Sequence, residues 1–214
     1  MTSSAYTRTY KETVMNLANK LTVMRMIMVP IFMIVMLLPE SIIPFDVMCI
    51  ISAALFIIAS ITDFLDGNIA RKRNLVTDFG KFMDPLADKF MVIGALMCIL
   101  YRFPSIRLYV LIVTIIVVFR ELAVTAARLV ASTSGGVVIA ANMLGKLKTV
   151  FQIIFISAVF IEPVLWKALG IELFTNILYG FPVGFVAMVA TAILTVWSGM
   201  NYIKGCWKYI NTEK

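Results

Sequence analysis

Apolar residues run through this chain in long blocks, interrupted by short polar connections. About six of the blocks approach the roughly 20 residues a helix needs to cross a bilayer. They lie near 20–38, 47–66, 84–101, 108–129, 145–166 and 181–203. A spanning backbone must satisfy its own hydrogen bonds, so the pattern predicts an all-α integral membrane protein of about six transmembrane helices. No connection is long enough for a soluble domain, and residues 1–214 read as a single membrane domain. Ahead of the first block, Tyr6, Tyr10, Val14, Leu17 and Leu21 recur at helical spacing. That spacing fits an amphipathic interfacial helix over 1–19, with a poorly ordered tail as the alternative. The first residues are polar, with no apolar core before a cleavage site, so no signal peptide is expected.

Composition agrees: 61% of the chain is hydrophobic and 14% charged, against roughly 45–50% and about 25% in soluble domains. There is no histidine, so acid–base chemistry falls to carboxylate, Lys or Tyr. Cys49, Cys98 and Cys206 are isolated and read as packing residues, as do most of the 14 methionines. An even number of spans puts both termini on one side, and positive charge assigns that side. Arg8, Lys11, Lys20 and Arg25 precede or open the first block, and Arg71, Lys72, Arg73 and Lys81 occupy the second connection. Arg128, Lys146 and Lys148 flank the fourth, and Lys204, Lys208 and Lys214 close the chain. The opposite face has Arg102, Arg107 and Lys167 beside Glu40, Asp46, Glu162 and Glu172. The termini are therefore expected in the cytoplasm, and the net charge of +7 reflects topology and anionic headgroups or substrates, not nucleic acid.

The chemistry concentrates in TDFLDGNIARKRNLVTDFGKFMDPLADK. Asp63 and Asp66 are three residues apart, Asp84 and Asp88 four apart, so each pair shares a helix face. One apolar helix is expected to end at the first pair and another to begin at the second, with a short basic turn between them. Four carboxylates brought together repel unless cations hold them, and oxygen-only ligands favour Mg²⁺ or Mn²⁺. Gly67 and Ala70 allow close approach of a ligand to the backbone, Arg71 offers a planar fork for phosphate, and Gly80 permits a tight turn or close packing. As isolated residues the aspartates would read as helix caps and surface charges. Their grouping at membrane depth reads as functional.

The spacing Asp63-x-x-Asp66-Gly67-x-x-Ala70-Arg71, eight residues, Gly80-x-x-x-Asp84-x-x-x-Asp88 resembles the signature of the CDP-alcohol phosphotransferases at all eight identities. The resemblance implies about six spans, with the motif across the second and third. It implies transfer of a substituted phosphate from a CDP-linked donor to an alcohol, releasing CMP. Asp63, Asp66, Asp84 and Asp88 would hold divalent metal, two ions of Mg²⁺ or Mn²⁺, and Asp88 would also be the general base. Asn19, Thr22, Asp63, Asp66, Gly67, Ala70, Arg71 and Gly80 would meet the donor and its nucleotide. The family is often dimeric, so a homodimer is expected.

Arg120 and Glu121 fall inside the fourth block, Arg128 near its end, and Lys146 and Lys148 open the fifth. Charge inside a span is costly and usually functional, and this group suits an acceptor that itself carries phosphate. Alternatively, the lysines merely follow the positive-inside rule and Arg120–Glu121 is a structural ion pair. The segment from Arg120 to Arg128, the following GKLKTVFQ, and Asn19-x-x-Thr22-x-x-Arg25 resemble the phosphatidylglycerophosphate synthase branch. That implies CDP-diacylglycerol as donor and sn-glycerol 3-phosphate as acceptor, whose phosphate the basic group of Arg120, Arg128, Lys146 and Lys148 would meet. The expected setting is a bacterial cytoplasmic membrane, with the aspartate hairpin on the cytoplasmic side by the same charge rule as the termini. The rivals are another acceptor (inositol phosphate, serine or phosphatidylglycerol) and, outside the class, a divalent-cation transporter. Weaker features are Gly180-x-x-x-Gly184 as a packing motif and Trp197, Tyr202, Trp207 and Tyr209 as an interfacial aromatic belt.

Overall fold

A computed structural model describes residues 21–72, 78–135, 143–171 and 180–210, and their side chains except those of 65–72, 78–82, 131–135 and 206–210. The predicted interfacial helix over 1–19 lies outside these residues. Among the described residues six helices follow one another: α1 (Leu21–Leu37), α2 (Phe45–Lys72), α3 (Asp78–Arg102), α4 (Arg107–Gly135), α5 (Met143–Ala168) and α6 (Pro182–Ile210). A single 3₁₀ turn, Pro104–Ile106, separates α3 from α4. No strand occurs among the described residues, and the all-α expectation holds.

Among the described residues four helices combine the length and apolarity of a membrane span: Phe45–Phe64 of α2, Pro104–Val130 through the 3₁₀ turn and α4, Met143–Ala168, and Pro182–Gly205 of α6. The apolar α1 is shorter, and α3 carries charge through its first three turns.

Helices α2 and α3 overrun their apolar blocks, which corrects the expected hairpin geometry. Apolarity in α2 stops at Phe64, but the helix continues to Lys72. Backbone hydrogen bonds need no apolar side chain, so the helix projects beyond the hydrocarbon; its 28 residues reach roughly 42 Å at 1.5 Å per residue. Asp63, Asp66, Gly67, Ala70 and Arg71 therefore lie within a helix, not at its end. Likewise α3 starts at Asp78, before Gly80, which occupies a helical position, so of the two roles open to it, a tight turn before the helix or close packing, the turn is excluded. Pro85 sits inside α3, where it removes one backbone donor.

The chain divides into two compact units, Met1–Cys98 and Ile99–Lys214. In the first, Val29, Phe32 and Met36 form the buried face of α1, with Met48, Cys49, Ala53 and Phe56 buried on α2 and Ala87, Met91 and Ala95 on α3. The rings of Phe32 and Phe56 meet edge to face at 6.3 Å. Gly94 lets α3 approach α1 closely: a Cβ there would lie 2.8 Å from the sulfur of Met33.

In the second unit α6 packs against both α4 and α5. Its buried face reads Gly184, Ala187, Met188, Thr191, Thr195, Ser198, Gly199 and Tyr202, mostly the small residues that let helices approach inside a bilayer. A Cβ at Gly199 would sit 3.1 Å from Cγ of Arg120 on α4. Phe103 joins Phe160 and Phe181 at ring distances of 6.4 and 6.0 Å. The ends of the helices are closed locally. The Arg107 guanidinium donates to the carbonyls of Leu100 (2.8 Å) and Tyr101 (3.4 Å) at the end of α3. Gly170, at φ 69°, turns the chain after α5 so that the N–H of Ile171 returns to the carbonyl of Trp166. In both units the outward side chains are large aliphatics such as Ile27, Ile34, Ile58, Ile115 and Val186, which in a membrane protein face lipid.

Candidate active site

The N-terminal turn of α1 organises the aspartates. Thr22 and Arg25 are three residues apart, so they project from one face. The Thr22 hydroxyl donates to Oδ1 of Asp84 at 2.7 Å. One guanidinium nitrogen of Arg25 lies 2.7 Å from Oδ1 of Asp63 on α2 and 3.2 Å from Oδ1 of Asp88 on α3. The Arg25 side chain is 1% exposed, those of Asp63 and Asp88 37% and 47%. A buried guanidinium stays charged and must be paired, so Arg25 fixes these carboxylates from below while their outer surfaces stay open.

The structure thus brings together Asp63, Asp84, Asp88 and Thr22 of the residues singled out by sequence. Asp66, Gly67, Ala70 and Arg71 continue α2, and Gly80 opens α3; their side chains, and Asn19, lie outside the described residues. Thr22, expected to meet the donor, bonds Asp84. In sequence Arg25 counted among the charges that assign topology and in the family resemblance, and had no assigned role at the site. Its signal was its spacing from Thr22, which turns both onto one face.

Among the described residues no three carboxylates close into a metal-ligating group. The donor chemistry nonetheless fits a hard divalent ion: Asp63 and Asp88 already converge on a positive charge, both are partly open, and every donor is an oxygen.

A second charged group lies in the other unit. Oε1 of Glu121 on α4 accepts from Arg120 at 2.9 Å and from Nζ of Lys148 on α5 at 2.5 Å. Lys148 is 4% exposed; in hydrocarbon such a charge requires a partner. The sequence placed Arg120 and Lys148 in one basic group, and they do meet, but Glu121 is the hub. Gly145, at the start of α5, lies beside the Arg120 guanidinium, where a Cβ would make ordinary contact at 3.6 Å. Arg128 donates to the hydroxyl of Tyr202 at 2.9 Å and lies 5.3 Å from the centre of its ring. Tyr202 is therefore a buried partner of Arg128 and not part of an exposed aromatic belt. Lys146 is exposed. Gln152, one turn beyond Lys148, is 1% exposed and its amide nitrogen has no partner among the described residues; the sequence reading gave it no role.

Glu162, placed by sequence among the charges of the outer face, is instead buried in α5. Its carboxylate accepts the N–H groups of Val183 at 2.8 Å and Gly184 at 3.1 Å, the opening turn of α6. Trp166 adds a bond to the carbonyl of Gly180 at 3.1 Å. The Gly180/Gly184 pair thus serves a side-chain cap within this chain.

A profile of the CDP-alcohol phosphatidyltransferase family matches residues 15–197. Three relatives each bear the name CDP-diacylglycerol–glycerol-3-phosphate 3-phosphatidyltransferase. The Bacillus subtilis protein is 43% identical over 92% of this chain and 98% of its own length. That of Wigglesworthia glossinidia brevipalpis is 33% identical over 91% and 96%, and that of Haemophilus influenzae 34% identical over 86% and 89%. With the complete aspartate signature in a helical membrane protein, these matches establish that the chain belongs to the CDP-alcohol phosphatidyltransferase family.

Proposed function

We propose that this protein transfers the phosphatidyl group of CDP-diacylglycerol to sn-glycerol 3-phosphate, giving phosphatidylglycerol phosphate and CMP. The carrying observation is 43% identity, over 98% of its length, to a relative named for this reaction. The intact motif supports the same chemistry.

Members of the family work with divalent metal ions. Asp63, Asp66, Asp84 and Asp88 would hold two such ions, Mg²⁺ or Mn²⁺. When bound they would neutralise the donor's diphosphate and the departing phosphate of CMP. The protein's own residues do the rest. Gly67 and Ala70 leave room for the nucleotide, Arg71 offers its fork to phosphate oxygens, and Asn19, Thr22 and Gly80 complete the donor side. Asp88, half exposed and held at one oxygen by Arg25, takes the proton of the acceptor's primary hydroxyl. That oxygen bonds to the β-phosphorus, the bond from β-phosphorus to the bridging oxygen breaks, and CMP leaves with the electron pair. In a chain without histidine, a carboxylate is a suitable base.

Arg120, Arg128, Lys146 and Lys148 supply positive charge for the acceptor's own phosphate. Glu121 offsets only part of it: Arg120 and Lys148 share this single carboxylate. The setting we infer is a bacterial cytoplasmic membrane, six spans, termini and site on the cytoplasmic side, with the homodimer that the family resemblance implies. A site at that interface leaves the donor's acyl chains in lipid while its head meets water-soluble acceptor.

The test is CMP release by purified protein with CDP-diacylglycerol, Mg²⁺ and a panel of acceptors. Release dependent on sn-glycerol 3-phosphate supports the reading. Release with inositol phosphate, serine or phosphatidylglycerol instead keeps the chemistry and discards the acceptor. No release with any acceptor, from folded protein, discards the reaction.

A further inference from the structure

We propose that Arg25 is the built-in counter-cation of the aspartate site: it positions Asp63 and Asp88 and holds down the site's affinity for divalent ions until the donor's diphosphate arrives. This rests on the reading of the aspartates as metal ligands.

Three observations carry it. First, the Arg25 side chain is 1% exposed and contacts carboxylates from two different helices, at 2.7 Å to Asp63 and 3.2 Å to Asp88. A guanidinium does not deprotonate in proteins, and α1 fixes its position, so the charge is permanent. Second, Thr22, one turn earlier, holds Asp84 at 2.7 Å. The start of α1 therefore aims three motif aspartates at once. Third, Asp63 and Asp88 remain 37% and 47% exposed, so each keeps surface for further ligation.

Two consequences follow. Without metal, Arg25 offsets the mutual repulsion of Asp63, Asp84 and Asp88, and the site stays assembled. A divalent ion bound to the same carboxylates would stand close to the guanidinium, and like charges at such distances repel strongly in a partly dry site. Arg25 therefore weakens metal binding to the empty protein. The diphosphate of the donor brings negative charge that relieves this repulsion, so metal and donor bind cooperatively.

The experiment measures Mn²⁺ binding by electron paramagnetic resonance, with and without CDP-diacylglycerol, beside steady-state kinetics. Arg25→Met removes the charge and leaves the two half-exposed carboxylates to water. It is expected to bind Mn²⁺ about tenfold tighter than wild type without donor, with the donor's enhancement of Mn²⁺ binding reduced and kcat lowered. Arg25→Lys keeps the charge but loses the fork. Its Mn²⁺ affinity is expected within about threefold of wild type, with kcat down at least about fivefold and acceptor KM little changed. Mn²⁺ binding to Arg25→Met that is no tighter than wild type overturns the counter-cation role. Full kcat in Arg25→Lys overturns the positioning role. If Arg25→Met fails to fold, Arg25→Lys decides: a tenfold change in its Mn²⁺ affinity overturns the proposal. Wild-type protein that binds no Mn²⁺ even with donor overturns the metal-site reading and this inference with it, whereas wild-type binding with an unresponsive Arg25→Met overturns the inference alone.

Discussion

The carboxylate of Glu162 stands 3.1 Å from the backbone N–H of Gly184, closing the first turn of α6 from the neighbouring helix α5. The first N–H groups of a helix have no partner within it, and inside a bilayer water does not supply one. Glu162 takes two of them, counting Val183 at 2.8 Å. Gly184 suits this contact, since a Cβ there would crowd Oε2 of Glu162 at 3.0 Å.

Glu162→Leu is therefore expected to destabilise the protein by about 1–3 kcal/mol, the cost of leaving a buried donor unmet. Glu162→Gln keeps one acceptor oxygen and should lose less. Gly184→Val should reproduce most of the Leu effect by pushing the carboxylate away. Thermal unfolding in one detergent checks all three; a Glu162→Leu protein as stable as wild type removes the cap from the account.

Asp88→Asn is expected to insert and fold normally and to lose at least about 100-fold in CMP release, the usual scale of a general base. The amide still accepts a hydrogen bond from Arg25 but does not take a proton. Near wild-type turnover from well-folded Asp88→Asn protein assigns the base elsewhere.

Lys148 and Glu121 separate a structural role from an acceptor-binding one. Glu121→Ala strands a nearly buried ammonium and should cost about 3–5 kcal/mol. Replacing the pair together, Glu121→Leu with Lys148→Met, should recover much of that stability. If Lys148 also meets the acceptor phosphate, KM for glycerol 3-phosphate stays raised by about tenfold in the pair variant, the worth of one charge-assisted contact. A restored KM makes the ion pair purely structural.

Chelation by EDTA is expected to stop CMP release, with recovery on adding Mg²⁺ or Mn²⁺. A readout independent of turnover is available as well. Metal binding only the folded state at 100 times its dissociation constant adds about 2.7 kcal/mol of stability, so melting temperature should rise with Mg²⁺ in wild type and much less in Asp63→Asn.

Thr22→Val keeps shape and removes the bond to Asp84. A net loss of about 1 kcal/mol is expected, and a several-fold fall in kcat if the orientation of Asp84 matters to the reaction. Unchanged kinetics would confine Thr22 to packing.

Much of this was written in the chain itself. Apolar blocks of spanning length require helices, because hydrocarbon offers backbone groups no other partner. Spacings of three and four put Asp63 with Asp66 and Asp84 with Asp88 on single faces, and eight identities at fixed distances marked the family. Hydropathy, however, reports where a helix leaves lipid and not where it ends, so α2 was expected to stop at Asp66 yet runs on to Lys72. Partnerships across sequence depend on which faces meet, and no local pattern encodes that. Arg25 lies 63 residues from Asp88, Lys148 27 from Glu121, and Arg128 74 from Tyr202. The sequence determined a helical membrane protein carrying a family's carboxylates. Tertiary packing decided which partner, a buried cation for Asp63, Asp88 and Glu121 or an uncharged donor for Asp84 and Glu162, each carboxylate meets, because a charge withdrawn from water must find its partner wherever the fold delivers one.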